Sequence, residues 1–76
     1  SLPTHVEPQL VALAQFTTRE LDVIKLLAAG YTSKLIADKL NIAKNTVENH
    51  RQRLLKKTNS FTSSELVAYA INHSLI

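Results

Sequence analysis

Asn45, Glu48, Asn49, Gln52, Arg53 and Lys56 recur three and four residues apart along one stretch of the chain. On a helix turning 100° per residue, these six side chains fall within an arc of about 140°. Val47 and Leu54 lie on the opposite side, within about 20° of each other. Such a helix has one apolar face and one built from amides, a carboxylate and cations. Those head groups suit base edges: an amide can read adenine, and a carboxylate can accept from the amino group of cytosine. A polar helix face can also be simply solvated, so the arc alone does not decide.

Other chemistries lack their parts. His5, His50 and His73 are spread over three segments, with no cysteine and no paired carboxylates beside them. Neither a metal site nor an acid–base centre assembles from such a set. Gly30 is the one glycine, so no glycine loop is present to cradle a phosphate. No enzyme activity, metal or cofactor is expected.

The charge distribution narrows the partner. From Lys34 to Lys57 there are seven basic residues (Lys34, Lys39, Lys44, Arg51, Arg53, Lys56, Lys57) against Asp38 and Glu48, a net of +5. Elsewhere Arg19 and Lys25 stand against Glu7, Glu20, Asp22 and Glu65, a net of −2. This segregation suits a polyanion, either nucleic acid or an anionic membrane surface. A membrane-surface helix would leave bulky apolar residues free opposite its cations. Here Val47 and Leu54 are needed for the core. A protein-interaction adaptor would require neither the clustered charge nor the amide-rich face.

The elements that must position this arc are helices. With 76 residues, one glycine and two prolines, a turn-rich β architecture and a second domain are both excluded. No apolar run approaches a membrane span, and no signal peptide opens the chain. The start at Ser1 and the lack of methionine suggest a processed start or an excised piece. Residues 1–15, interrupted by Pro3 and Pro8, read as a linker, with a short helical turn through Leu10, Val11 and Leu13. Residues 16–76 read as one compact all-α domain of four helices. Thr17-Thr18-Arg19-Glu20 has the form of a capping box and opens the first, whose apolar face is Leu21, Val23, Ile24, Leu26 and Leu27. Gly30 ends it. Thr32 caps the second, which turns Ile36 and Leu40 inward. The third spans about 44–57. Thr62-Ser63-Ser64-Glu65 is a second capping box, and the fourth helix buries Leu66, Val67, Ala70 and Ile71.

Only Asn41-Ile42-Ala43 separate the second and third helices, which must therefore meet at a steep angle. Ala37 is small enough for the crossing, and Asn41 is the best non-glycine residue for a positive φ in the turn. Val47 points back into the crossing. This describes a helix-turn-helix, whose second helix can enter a DNA major groove.

Phe16-Thr17-Thr18-Arg19-Glu20, Gly30-Tyr31-Thr32-Ser33-Lys34, Ile36-Ala37, Leu40-Asn41-Ile42 and Thr46-Val47-Glu48-Asn49-His50 resemble the LuxR/FixJ-type DNA-binding domain. The likeness runs from Phe16 to the C-terminus. It implies a four-helix output domain of a bacterial, cytoplasmic transcription regulator that binds double-stranded DNA as a homodimer on two half-sites. It also implies an N-terminal sensory or receiver domain missing from this sequence, and Arg51 directly after His50 is similar to the receiver-linked subgroup of response regulators. The resemblance assigns base contact to Glu48, Asn49 and Gln52, and Asn45 joins them on the same arc. It gives His50 to the DNA backbone, although a structural histidine is an equal alternative. It makes the last helix the dimer surface, through Ala68, Tyr69, Asn72 and Leu75 on its outward face.

Lys34, Lys44, Arg53, Lys56 and Lys57 read most simply as phosphate contacts. Thr32 and Thr46 sit near helix N-termini, where hydroxyls and backbone N–H groups can hold a phosphate. Ser33, beside Thr32, is counted with them, and Thr32 can also be only a cap. Several positions depart from the family pattern. Ala43 stands where a capping serine is usual, which should cost about 1 kcal/mol. Ser33 replaces an asparagine, Leu35 a glutamate and Ser63 an arginine. Glu48 occupies a position where many relatives have lysine; it either accepts from a cytosine amino group or pairs with a neighbour, Lys44 or the Gln52 amide, and merely orients it. Thr58-Asn59-Ser60 replaces a Leu-Gly-Val turn, with Phe61 expected to supply the missing apolar contact.

Overall fold

The computed structural model describes residues 15–76. The expected turn through Leu10, Val11 and Leu13 lies outside the described residues. Within them are four helices and no strand: α1 (Thr18–Ala28), α2 (Ser33–Leu40), α3 (Lys44–Lys57) and α4 (Ser63–Asn72). The all-α expectation holds. Their order places α2 and α3 as the helix-turn-helix, and α3 packs against each of the other three.

Local chemistry starts the helices. The Glu20 N–H donates to Thr17 Oγ1 (3.1 Å), and the Thr17 N–H donates back to Glu20 Oε1 (2.8 Å). This is the complete capping box read from the sequence. Thr32 Oγ1 accepts from the Leu35 N–H at 3.3 Å, and Thr62 Oγ1 accepts from Glu65 at 3.1 Å. Glu65 departs from the box pattern, because its carboxylate accepts from the Phe61 N–H (3.3 Å), one residue before the cap. Ala43 begins α3 with extended backbone and no side-chain hydrogen bond, so the missing cap is not replaced by its own side chain.

All four helices end in the same way. A residue with positive φ follows the last turn, and the next N–H reaches back to a carbonyl five residues earlier. The pairs are Gly30 with Tyr31 to Leu26, Asn41 with Ile42 to Ala37, Asn59 with Ser60 to Leu55, and Ser74 with Leu75 to Ala70. Glycine supplies only the first. Asn41, at φ 56° and ψ 47°, makes the reversal between α2 and α3 as expected from its type.

Phe16, Val23, Ile24, Ile36, Ala37, Val47, Leu54, Leu66, Ala70 and Leu75 form the core. Three sequence expectations are corrected. Phe61 is 87% exposed and supplies no apolar contact, and Ile71, expected inside, is 60% exposed. Leu75, placed on the outward face by extending the last helix through it, is instead buried. The helix stops at Asn72, and the Ser74 turn folds Leu75 back over Ala70 into the core. Thr58 is also buried, and its hydroxyl donates to the Leu54 carbonyl at 2.8 Å. The buried hydroxyl of this polar turn is thereby satisfied.

Candidate DNA interface

The position of α3 follows from its two buried residues. Val47 and Leu54 are fully buried against the other helices, which turns the opposite arc outward. Asn45, Asn49, Gln52, Arg53 and Lys56 are all exposed. Among the described residues, none of the five makes a side-chain hydrogen bond or ion pair with another part of the domain. Their head groups are available to a ligand. Glu48 differs, since its carboxylate lies 3.7 Å from Arg51 Nη1, one turn along the same helix. Its charged neighbour is thus Arg51 rather than Lys44 or Gln52.

Around this arc stand further exposed cations. Lys34 and Lys39 on α2 are exposed, as is Lys44 at the start of α3. Lys39 lies over the Tyr31 ring, 5.7 Å from its centre. Thr32 and Thr46 are exposed near the starts of α2 and α3. Thr32 is a cap, as expected, but its oxygen only accepts in that role, so its hydroxyl hydrogen can still be donated. Because Ala43 carries no capping group, the first N–H groups of α3 lack a side-chain acceptor from that residue. His50 is half-buried on the flank, and its Nδ1 is buried without a partner among the described residues.

Two residues of the expected phosphate set have partners inside the domain. Ser33 is buried, and its Oγ accepts from Arg51 Nη1 at 2.6 Å. It faces the interior of the domain because α2 buries the face that also carries Ile36 and Ala37. Lys57 turns away from the arc: its Nζ is 2.7 Å from Glu20 Oε1 and 3.0 Å from the Gln15 carbonyl oxygen. A buried carboxylate outcompetes solvent for this ammonium.

The residue that sequence reasoning missed is Arg51. Its guanidinium donates to Ser33 of α2 through Nη1 and to Ser63 of α4 through Nη2, while lying beside Glu48. The only signal in the sequence was its spacing of three from Glu48. The two serines are remote in sequence.

On α4, Ala68 and Asn72 are exposed, and Tyr69 is half-buried with its ring stacked on His73 at 4.0 Å between centres. Leu75 is in the core and is not part of an outward face.

A family model described as bacterial regulatory proteins, luxR family, matches residues 14–70. The chain belongs to the LuxR family. DNA binding in transcription regulation comes with that membership. Among curated LuxR-family relatives, it is similar to the transcriptional regulatory protein MctR of Rhizobium johnstonii, with 40% identity over 60 residues. It is 41% identical over 58 residues to the oxygen regulatory protein NreC of Staphylococcus carnosus. Over 74 residues it is 36% identical to the uncharacterized transcriptional regulatory protein YxjL of Bacillus subtilis. These matches cover 79%, 76% and 96% of this chain, but only 28%, 27% and 32% of the respective relatives. The chain therefore spans about a third or less of their length. No helix among the described residues is long and apolar enough to cross a membrane.

Proposed function

We propose that this domain reads duplex DNA with α3 in the major groove and pairs through α4 on two half-sites. The observation that carries the reading is the exposed arc of α3, where unpartnered amides and cations lie opposite a buried Val47 and Leu54. Asn45, Glu48, Asn49 and Gln52 contact bases. Thr32, Lys34, Lys44, Thr46, His50, Arg53 and Lys56 contact phosphates. Dividing the contacts this way separates affinity, which cations supply to any sequence, from specificity, which amides and the carboxylate supply at base edges. Ala68, Tyr69 and Asn72 form the dimer surface. Pairing two small readers on one operator extends the recognised sequence without enlarging the domain. In this reading the domain is the output part of a cytoplasmic bacterial regulator, joined to an N-terminal sensory or receiver portion. The much greater length of the relatives supports that arrangement.

Glu48 provides the decisive test, because a carboxylate is repelled by the DNA backbone and its presence must be repaid by base readout. It accepts a hydrogen bond from a cytosine N4 amino group, a contact worth about 1–3 kcal/mol of discrimination. In a binding-site selection, Glu48→Gln should relax the preference at one base pair per half-site while raising affinity for random DNA. The same selected sequence for both proteins would refute direct readout by Glu48.

A further inference from the structure

Arg51 is held from three sides. Ser33 reaches it from α2 and Ser63 from α4, and Glu48 lies one turn before it on α3. Its side chain is 26% exposed, against 42% for Glu48. A guanidinium with two N–H groups committed to hydroxyls on separate helices cannot swing with the solvent. An ordinary pair three residues apart on a helix surface has two mobile partners and holds neither in place. Here one partner is already anchored, so only the Glu48 side chain has to be ordered.

The separation of 3.7 Å also matters. It is long for a hydrogen bond but within ion-pair reach, so the guanidinium attracts the carboxylate while its acceptor sites stay open. Glu48 is the only acid of α3 and, among the described residues, the one arc head group with a charged partner.

We propose that Arg51 is a positioning residue that sets base specificity through Glu48, with Ser33 and Ser63 as its anchors. The inference rests on the reading of Glu48 as a base contact. Arg51 itself touches no base. It holds the carboxylate against the phosphate field of the DNA and restricts the rotamers from which that carboxylate meets an amino group.

The test compares affinities of the 76-residue domain for its selected site and for the site changed at the base pair assigned to Glu48. Wild type, Arg51→Gln, Ser63→Ala, Glu48→Gln and the Arg51→Gln/Glu48→Gln double variant are measured, with thermal unfolding of each. Arg51→Gln should reduce the discrimination ratio at that base pair about tenfold and leave the ratios at other base pairs unchanged. Ser63→Ala should move it in the same direction by a smaller factor. In the Glu48→Gln background, Arg51→Gln should have no further effect on the ratio. A loss of equal size in both backgrounds would overturn the positioning role, because the two residues would then act independently. If Arg51→Gln does not fold, an unchanged ratio in Ser63→Ala overturns it. If Glu48→Gln alone leaves the ratio unchanged, the base-reading role fails and the positioning role with it. A changed ratio in Glu48→Gln beside an unchanged one in Arg51→Gln removes the positioning role alone.

Discussion

Lys57, the last residue of α3, holds its Nζ 2.7 Å from Oε1 of Glu20 in the first turn of α1. The same ammonium bonds the Gln15 carbonyl and lies over the Phe16 ring. The carboxylate is 2% exposed and accepts from both the Thr17 N–H and Lys57. One buried acid thus caps α1 and ties it to the far end of α3.

This arrangement makes stability depend on acid. Burial acts to raise the Glu20 pKa, but the Lys57 and Thr17 hydrogen bonds and the Lys57 charge outweigh it, and the net shift is downward from the ordinary 4.5. A carboxyl depressed on folding contributes stability above its unfolded pKa and loses it as pH falls through the folded value. Urea unfolding should therefore show wild type losing more stability than Glu20→Gln between about pH 7 and about pH 3. Equal losses would mean that the pair does not distinguish the folded from the unfolded state.

The same contact separates Lys57 from the other cations. Lys34→Ala and Lys56→Ala should each lower the magnitude of the log affinity–log salt slope by about 0.9. Lys57→Ala should leave that slope unchanged and destabilise the domain by about 1–3 kcal/mol, because it strips a buried carboxylate of its partner. A slope change in Lys57→Ala equal to that in Lys56→Ala would return Lys57 to the phosphate set.

Ala43 already has the backbone of a helix cap, with φ −69° and ψ 147°, and lacks only the oxygen. Ala43→Ser should raise the unfolding free energy by about 1 kcal/mol. Thermal denaturation of the free domain checks it. No gain would mean that the first turn of α3 is satisfied without a cap.

Tyr69 and Leu75 were expected on one surface, and the fold separates them. Tyr69→Glu should weaken binding to an operator with two half-sites and spare a single half-site. Leu75→Ala should instead lower the stability of the DNA-free domain by about 2–5 kcal/mol, as for a buried leucine elsewhere. If Tyr69→Glu weakens both sites equally, the dimer surface lies elsewhere.

Much of this protein is decided by short-range rules that act on neighbouring residues. Thr17 and Glu20, Asn41, and the spacing of Val47 and Leu54 determine where helices begin, reverse and turn inward, because capping, positive φ and helical periodicity operate within a few residues. The all-α class, the helix-turn-helix and the outward arc of α3 were therefore legible before any coordinates. Side-chain partners were not. Ser33 and Ser63 lie 18 and 12 residues from Arg51, and Glu20 lies 37 from Lys57. Whether a cation meets such a group or the solvent depends on where three helices bring it, and sequence spacing carries no record of that. Leu75 shows the same limit at closer range. Periodicity projected it outward on a helix that in fact ends at Asn72, and only the Ser74 turn, formed against the packed core, directs it inside.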